Sequence, residues 1–248
     1  RRVEGQHIPL LQGHREEQPV RRRWFNKNQY MEKKFNIKRI SATNVKAAEI
    51  CRIMDEAGIG FVPVDNHCWA EAFPYRPKME VRMAHNGAQR LINYRVTEET
   101  VRAVAPHDDG NVWEDSCCEL FLSPVADGTY YNMECNAAGT LLIGFGPSRE
   151  GRERAQQDVL DKVQRWSTMG REPFNNIEGE RTWQLCLAVP VEAYYRHNLK
   201  SFDGLHVKGN VYKCGDMLPH PHFLSLFPID LPKPDFHRPD FFGDVEFE

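Results

Sequence analysis

Asn86-Gly87 stands between two short runs, MEVRMAH (79–85) and RLINYRV (90–96). An Asn-Gly pair supplies the left-handed backbone that a tight two-residue turn needs, so the two runs are expected to fold as an antiparallel hairpin. The same signal recurs downstream. SCCELFL (116–122), TYYNMECNA (129–137) and GTLLIGF (139–145) are separated by Asp127-Gly128 and by Gly139. KVQRW (162–166), TWQLCLAVP (182–190), LHVKGNVYK (205–213), HFLSLFP (222–228) and DVEFE (244–248) bring the set to about ten strands. One helix is expected, over 44–57, with Asn44 as cap, apolar positions at Ile50, Ile53, Met54 and Ala57, and Gly58 as stop. Many short strands with turns between them, and no regular strand-helix alternation, predict an all-β fold: an antiparallel β-sandwich with a short N-terminal helix.

The chain has 248 residues, a length that one β-sandwich domain reaches alone. Its charge is unevenly spread. Residues 1–39 hold eleven Lys/Arg and four Glu, whereas the net charge of the whole chain is -3. Residues 1–36 are therefore expected to be a disordered basic leader, and 37–248 the domain. MEKKFNIKRI from Met31 reads like a natural bacterial start. The overall charge gives no reason to expect nucleic acid as a partner. No stretch approaches the roughly 20 apolar residues of a membrane span. Seven cysteines without CxxC or framework spacing predict free thiols. With no signal-peptide core in view, the expected location is the cytoplasm.

VWEDSCCELFL (112–122) concentrates the chemistry. On a strand, Cys118, Leu120 and Leu122 share one face, and Cys117, Glu119 and Phe121 the other. The two cysteines point apart and cannot readily bond to each other. Glu119 is then a carboxylate inside an apolar run. YYNMECNA repeats the anomaly: Asn132, Glu134 and Asn136 alternate with Tyr131, Met133 and Cys135. If both strands join one sheet, Glu119, Glu134, Asn132 and Asn136 form a polar face, with Trp113 at its rim. A flat ring beside carboxylates and amides suits a sugar, whose apolar face stacks while its hydroxyls bond. The same pattern also fits a solvated sheet face with a core tryptophan.

VWEDSCCELFLSP resembles the PW-x-x-DSVE-x-F hallmark of family 9 carbohydrate-binding modules, the β-sandwich modules found on xylanases. EAFPYRP (71–77), DGTYYNMECNAAGT (127–140), SRE (148–150), KCGD-x-LP (213–219) and PDFHRPDFFGDVEFE (234–248) extend the likeness to carbohydrate-binding family 9-like proteins, from about Ile37 to the end. The resemblance implies a DOMON-like sandwich. It also implies a terminal sugar clamped by two aromatic rings and bonded by a glutamate and an arginine. The first ring matches Trp113, the glutamate Glu119, and the second ring falls at Phe236. The arginine's place on the neighbouring strand is held by Glu134, a departure that replaces a donor by an acid.

The function expected is non-catalytic binding of a mono- or oligosaccharide end by Trp113, Glu119, Phe236, Glu134, Asn132 and Asn136. The alternatives are a glycosidase that uses the paired carboxylates, and a protein-interaction domain that kept the fold. No cofactor is expected. Structural calcium is the exception that the resemblance allows, with Asp115, Asp127 and Asp216 as candidates. Cys214, Asp216, His220, His222 and His237 are weaker candidates for zinc, since LPHPHF lacks helical ligand spacing. Arg149, Glu150, Arg152 and Glu153 read as a solvated loop.

Overall fold

The computed structural model describes residues 33–248. The expected leader lies outside them up to residue 32. Residues 34–36, also assigned to it, instead begin strand β1 (Lys34–Arg39). There follow α1 (Ile50–Glu56), β2 (Val62–Pro63), β3 (Asn66–His67), β4 (Lys78–His85), β5 (Gln89–Ala103) and β6 (Cys117–Ser123). Next come β7 (Tyr130–Asn136), β8 (Leu141–Gly146), β9 (Glu153–Arg154), α2 (Gln157–Leu160), β10 (Gln164–Ser167) and β11 (Phe174–Pro190). The chain ends with β12 (His206–Cys214), β13 (Phe223–Ser225) and β14 (Gly243–Phe247).

The strands form two sheets. One runs β9-β8-β7-β6-β12-β14-β1, with β13 on β12 and β3 on β13; the other runs β10-β11-β5-β4-β1, with β2 on β4. The β4–β5 hairpin forms as the sequence suggests, and Gly87 takes the left-handed conformation at φ +88°. β1 departs from the expected antiparallel pattern. It runs parallel to β14 over Lys34–Ile37 and parallel to β4 over Lys38–Arg39, so one strand joins both sheets. α1 also starts later than expected. Asn44 lies upstream with φ +50°, and a 3-10 turn over Ala47–Glu49 precedes the helix, with the Glu49 carboxylate accepting from the Lys46 N–H at 3.1 Å.

Strand alternation divides the apolar residues into separate clusters. Cys118, Leu120 and Leu122 of β6 pack with Tyr131 and Met133 of β7, and with Ile92, Tyr94, Trp183 and Leu185 from the other sheet, to form the main core. The opposite face of β6 and β7 is buried too. Cys117, Phe121, Tyr130, Leu142, Tyr212 and Cys214 lie under Phe236 and Phe242 of the C-terminal segment. This cover rules out an open, solvated sheet face. Ile50 and Met54 of α1 close a third cluster on Ala84, Leu91 and Ala188.

A buried ion pair ties the sheets together. Lys213 Nζ of β12 lies 3.1 Å from Glu98 of β5, and neither side chain is more than 1% exposed. Trp183 Nε1 donates to the same Glu98 carboxylate, and His222 Nε2 lies 2.8 Å from Lys213 Nζ. Removing one partner would strand a buried charge, which typically costs about 3–5 kcal/mol. Among the described residues, no helix is long and apolar enough to cross a membrane.

Candidate functional site

β6 and β7 pair antiparallel, and their register sets Glu119 directly opposite Glu134. Both carboxyls are about 3% exposed and face the second cluster, away from the main core. Between the sheet and the segments that cover it lies a cavity of about 260 Å³. Trp113, Glu119, Glu134 and Phe236 line it, together with Arg149, Arg152, Cys214, Asp216, Asp235 and His237. Four of the six expected residues therefore share one cavity.

The other two stand behind its wall. Asn132 is fully buried and donates to the Glu134 carboxylate at 2.9 Å. It faces Gly144 of β8, where a Cβ would come within 2.6 Å of Asn132 Oδ1, so only glycine leaves the amide room. Asn136 holds the β7–β8 turn instead. Its Oδ1 accepts from the Ala138 and Thr140 N–H groups, and its Nδ2 donates to Asp115 at 2.9 Å. Its hydrogen-bonding groups are thus used inside the protein, because a tight turn leaves backbone donors that a buried Asx side chain satisfies.

The rings differ from the expected pair. Trp113 sits in the 3-10 turn Val112–Glu114 and is half-buried. Its carbonyl accepts from the Asp216 N–H at 3.1 Å, which ties the two lining residues together. Phe236 is no rim ring. It is 7% exposed and stacks on Tyr212 with centroids 4.1 Å apart and planes 6° apart. Trp69 and Phe223 pack around it at 5.9 Å and 5.8 Å.

The arginines are the largest gain over the sequence reading. The loop between β8 and β9 is exposed over 147–151, as expected, but Arg152 turns inward and Arg149 lies at the cavity. Arg152 Nη1 lies 3.7 Å from Glu134, and the Arg152 side chain is 12% exposed. Arg149 pairs with Asp235 at 2.8 Å. A guanidinium therefore stands beside Glu134 although β7 itself carries none. No apolar period marks this loop, and its role arises only when the chain folds back over the sheet.

Burial governs the protonation of the wall. It pushes the Glu119 carboxyl well above the usual range, and the neighbouring Glu134 adds to the effect. Glu134 is raised too, chiefly by burial, against the pull of Arg152. Burial lifts Asp216 to about 6 and drops His237 to about 3, so His237 is a neutral ring at pH 7. His237 Nδ1 shares a 2.9 Å hydrogen bond with the Tyr130 hydroxyl.

Metal candidates separate along the same lines. Asp115 bonds Arg102, Asn136 and the Ala105 N–H, and Asp127 bonds Thr129, while Asp216 lines the cavity. His222 is held by Lys213 and His237 by Tyr130. The ligand atoms of Cys117, Glu119 and Cys214, by contrast, all lie within 4.8 Å of one another.

Two joined sheets with a lined cavity on the outer face of one define a β-sandwich with an aromatic and polar pocket. The family model for carbohydrate-binding family 9 matches residues 48–247, and the chain belongs to that family. It is 46% identical to a Bacteroides uniformis protein described as a candidate carbohydrate-binding protein. The match covers 87% of this chain and 99% of the other, with a TM-score of 0.84. A family 9 carbohydrate-binding module from Caldicellulosiruptor kristjanssonii, solved with glucose, shares the fold at 9% identity and a TM-score of 0.54, over 87% of this chain and 95% of that one. The module solved with cellotriose gives 10% identity and a TM-score of 0.53, covering 87% and 93%. A search of curated proteins returns no match.

Proposed function

We propose that the protein binds the end of a carbohydrate, non-covalently, in the cavity between Trp113 and the Glu119–Glu134 pair. The observation that carries this reading is the composition of that one wall in a member of carbohydrate-binding family 9. It combines an aromatic ring, buried carboxyls and two guanidinium groups. Trp113 offers a surface for the apolar face of a pyranose. Asp216 and Glu134 offer acceptors for hydroxyls, and Arg149 and Arg152 offer donors. Burial and the neighbouring Glu134 favour the protonated form of Glu119, and a protonated carboxyl can donate as well as accept. At about 260 Å³ the cavity falls below the usual 300–1,000 Å³ of drug-sized pockets, which suits one sugar ring rather than a long chain. The two solved modules hold glucose and cellotriose, which makes glucose-based ligands the first to try.

Phe236 also lines the cavity, but it is packed on Tyr212 as part of the wall rather than standing free as the second half of an open clamp. The test is a glycan array followed by calorimetric titration of the best ligand. Trp113→Ala should weaken binding roughly 5- to 150-fold, which corresponds to about 1–3 kcal/mol of ring stacking. A folded wild-type protein that binds no sugar on a broad array would overturn the reading in favour of a protein-interaction domain. Release of reducing ends from an oligosaccharide would overturn it in favour of a hydrolase.

A further inference from the structure

We infer that Cys117, Glu119 and Cys214 form a binding site for one thiophilic divalent cation, of which zinc is the natural probe. Two positions of β6 and one of β12 build it. Cys117 and Cys214 are directly opposite each other in the β6–β12 ladder, and Glu119 is two residues further along β6, on the same face. All three are buried, at 0%, 3% and 2% exposure for Cys117, Glu119 and Cys214. Their ligand atoms lie within 4.8 Å of one another, and Cys214 Sγ is 3.0 Å from Glu119 Oε1. A tetrahedral zinc with bonds of about 2.0–2.3 Å holds its ligand atoms about 3.3–3.8 Å apart. The set therefore needs only small side-chain rotations, on a rigid ladder, to close around an ion.

The chemistry of the surroundings points the same way. Glu119 is a buried carboxyl whose accepted hydrogen bond comes from a thiol, while Arg152 stands beside Glu134 instead. A buried carboxylate is stable when paired with a cation or bound to a metal. Two sulfurs and one oxygen make a donor set that favours zinc over calcium or magnesium. Binding displaces the two thiol protons, and the carboxyl proton where Glu119 carries one, to solvent through the cavity, and the ion takes three anionic ligands. The resulting site carries one net negative charge, and Arg149 and Arg152 line the same cavity.

Glu119 and Cys214 also line the cavity. The fourth position of the ion therefore opens toward it, where water or a ligand hydroxyl can complete the shell.

The full chain, kept reduced and stripped with a chelator, is titrated with Zn²⁺ and separately with Co²⁺. One equivalent should bind. X-ray absorption of the unmutated zinc protein should give two sulfur neighbours, and Co²⁺ should give thiolate-to-metal absorption in the near ultraviolet. Cys117→Ser and Cys214→Ser should each reduce that absorption and weaken zinc by more than the 10- to 100-fold typical of losing an outer-shell partner, and the double substitution should abolish it. Cys51→Ser and Cys68→Ser should leave it intact. A zinc shell of nitrogen and oxygen alone in the unmutated protein, no stoichiometric binding, or cobalt–thiolate absorption that survives the double substitution would overturn the proposal. The absorption measurement on the unmutated chain decides the matter even if a variant fails to fold.

Discussion

Glu119 on β6 and Glu134 on β7 are direct cross-strand partners, both buried on the outer face of their sheet. Like charges so placed repel, and burial disfavours each charge further. The two residues resolve the conflict differently. Glu134 accepts from Asn132 and faces Arg152, whereas Glu119 is left with a thiol. Glu119 is raised well above the ordinary range, so the folded protein holds a proton there that the unfolded chain releases near pH 4.5. The unfolded state thus binds fewer protons above that pH, and stability falls as pH rises toward the folded pKa.

Glu119→Gln removes this penalty and keeps the shape. In the metal-free protein, the melting temperature of the variant relative to wild type should rise as pH increases above the ordinary carboxylate range toward the raised folded value. Thermal melts across that range check it. A difference that stays constant, or shrinks, would mean that Glu119 ionises normally when folded.

Asp216 should make ligand binding depend on pH. Burial lifts its carboxyl to about 6, with Arg149 pulling the other way. Above that value it is a charged acceptor on the cavity wall, and charge-assisted hydrogen bonds are about twice as strong as neutral ones. Sugar affinity should therefore increase as pH rises from about 5 to about 7. His237 lies near 3 and does not titrate in this window. Asp216→Asn should flatten the profile. Calorimetry at several pH values is the measurement, and an unchanged slope in the variant would assign the titration to Glu134 or Glu119.

Cys51 should be the first thiol to react. It is half exposed, whereas the other six are buried. Its sulfur sits 3.4 Å from Cys186 Sγ, and a hydrogen bond from that thiol, with Arg82 nearby, lowers Cys51 to about 7. Thiolate is the reactive form, so alkylation of the native protein should increase through neutral pH and level off above it. Peptide mass spectrometry after brief labelling should find Cys51 first. Labelling led by Cys117 or Cys214 would mean that the cavity opens far more than the structure does.

The sandwich was legible because its strands announce themselves locally. The Asn86-Gly87 turn and the alternation of β6 and β7 need no distant partner to be read. β1 was not legible. Only Phe35 and Ile37 of its six residues are buried, within a strongly basic stretch, and its position depends on β14 at the far end of the chain. The site divides in the same way. Glu119 and Glu134 stand out as acids within apolar strands. Arg149, Arg152, Asp216 and His237 reach the cavity from irregular segments; the motifs that hold three of them stood out by resemblance, but only tertiary closure places them at the cavity. Asn136 had the right face but lay at a strand end, where the turn takes its amide.

Phe236 separates support from contact. As a rim ring it could be cut away with little effect on the fold. Buried at 7% exposure against Tyr212, and with its carbonyl accepting from the Tyr212 hydroxyl at 3.2 Å, it belongs to the second cluster. Phe236→Ala would leave a void among Tyr212, Trp69 and Phe223, and such truncations typically cost about 3–5 kcal/mol. The variant should therefore lose both stability and ligand affinity. Phe236→Leu fills most of the space and should recover much of the stability. If Phe236 acts only as support, Phe236→Leu should recover affinity in parallel. If its ring touches the sugar, stability should return while affinity stays low. Urea denaturation and calorimetry on the same two proteins distinguish these outcomes, and a Phe236→Ala protein as stable as wild type would show that the ring is not packed as described.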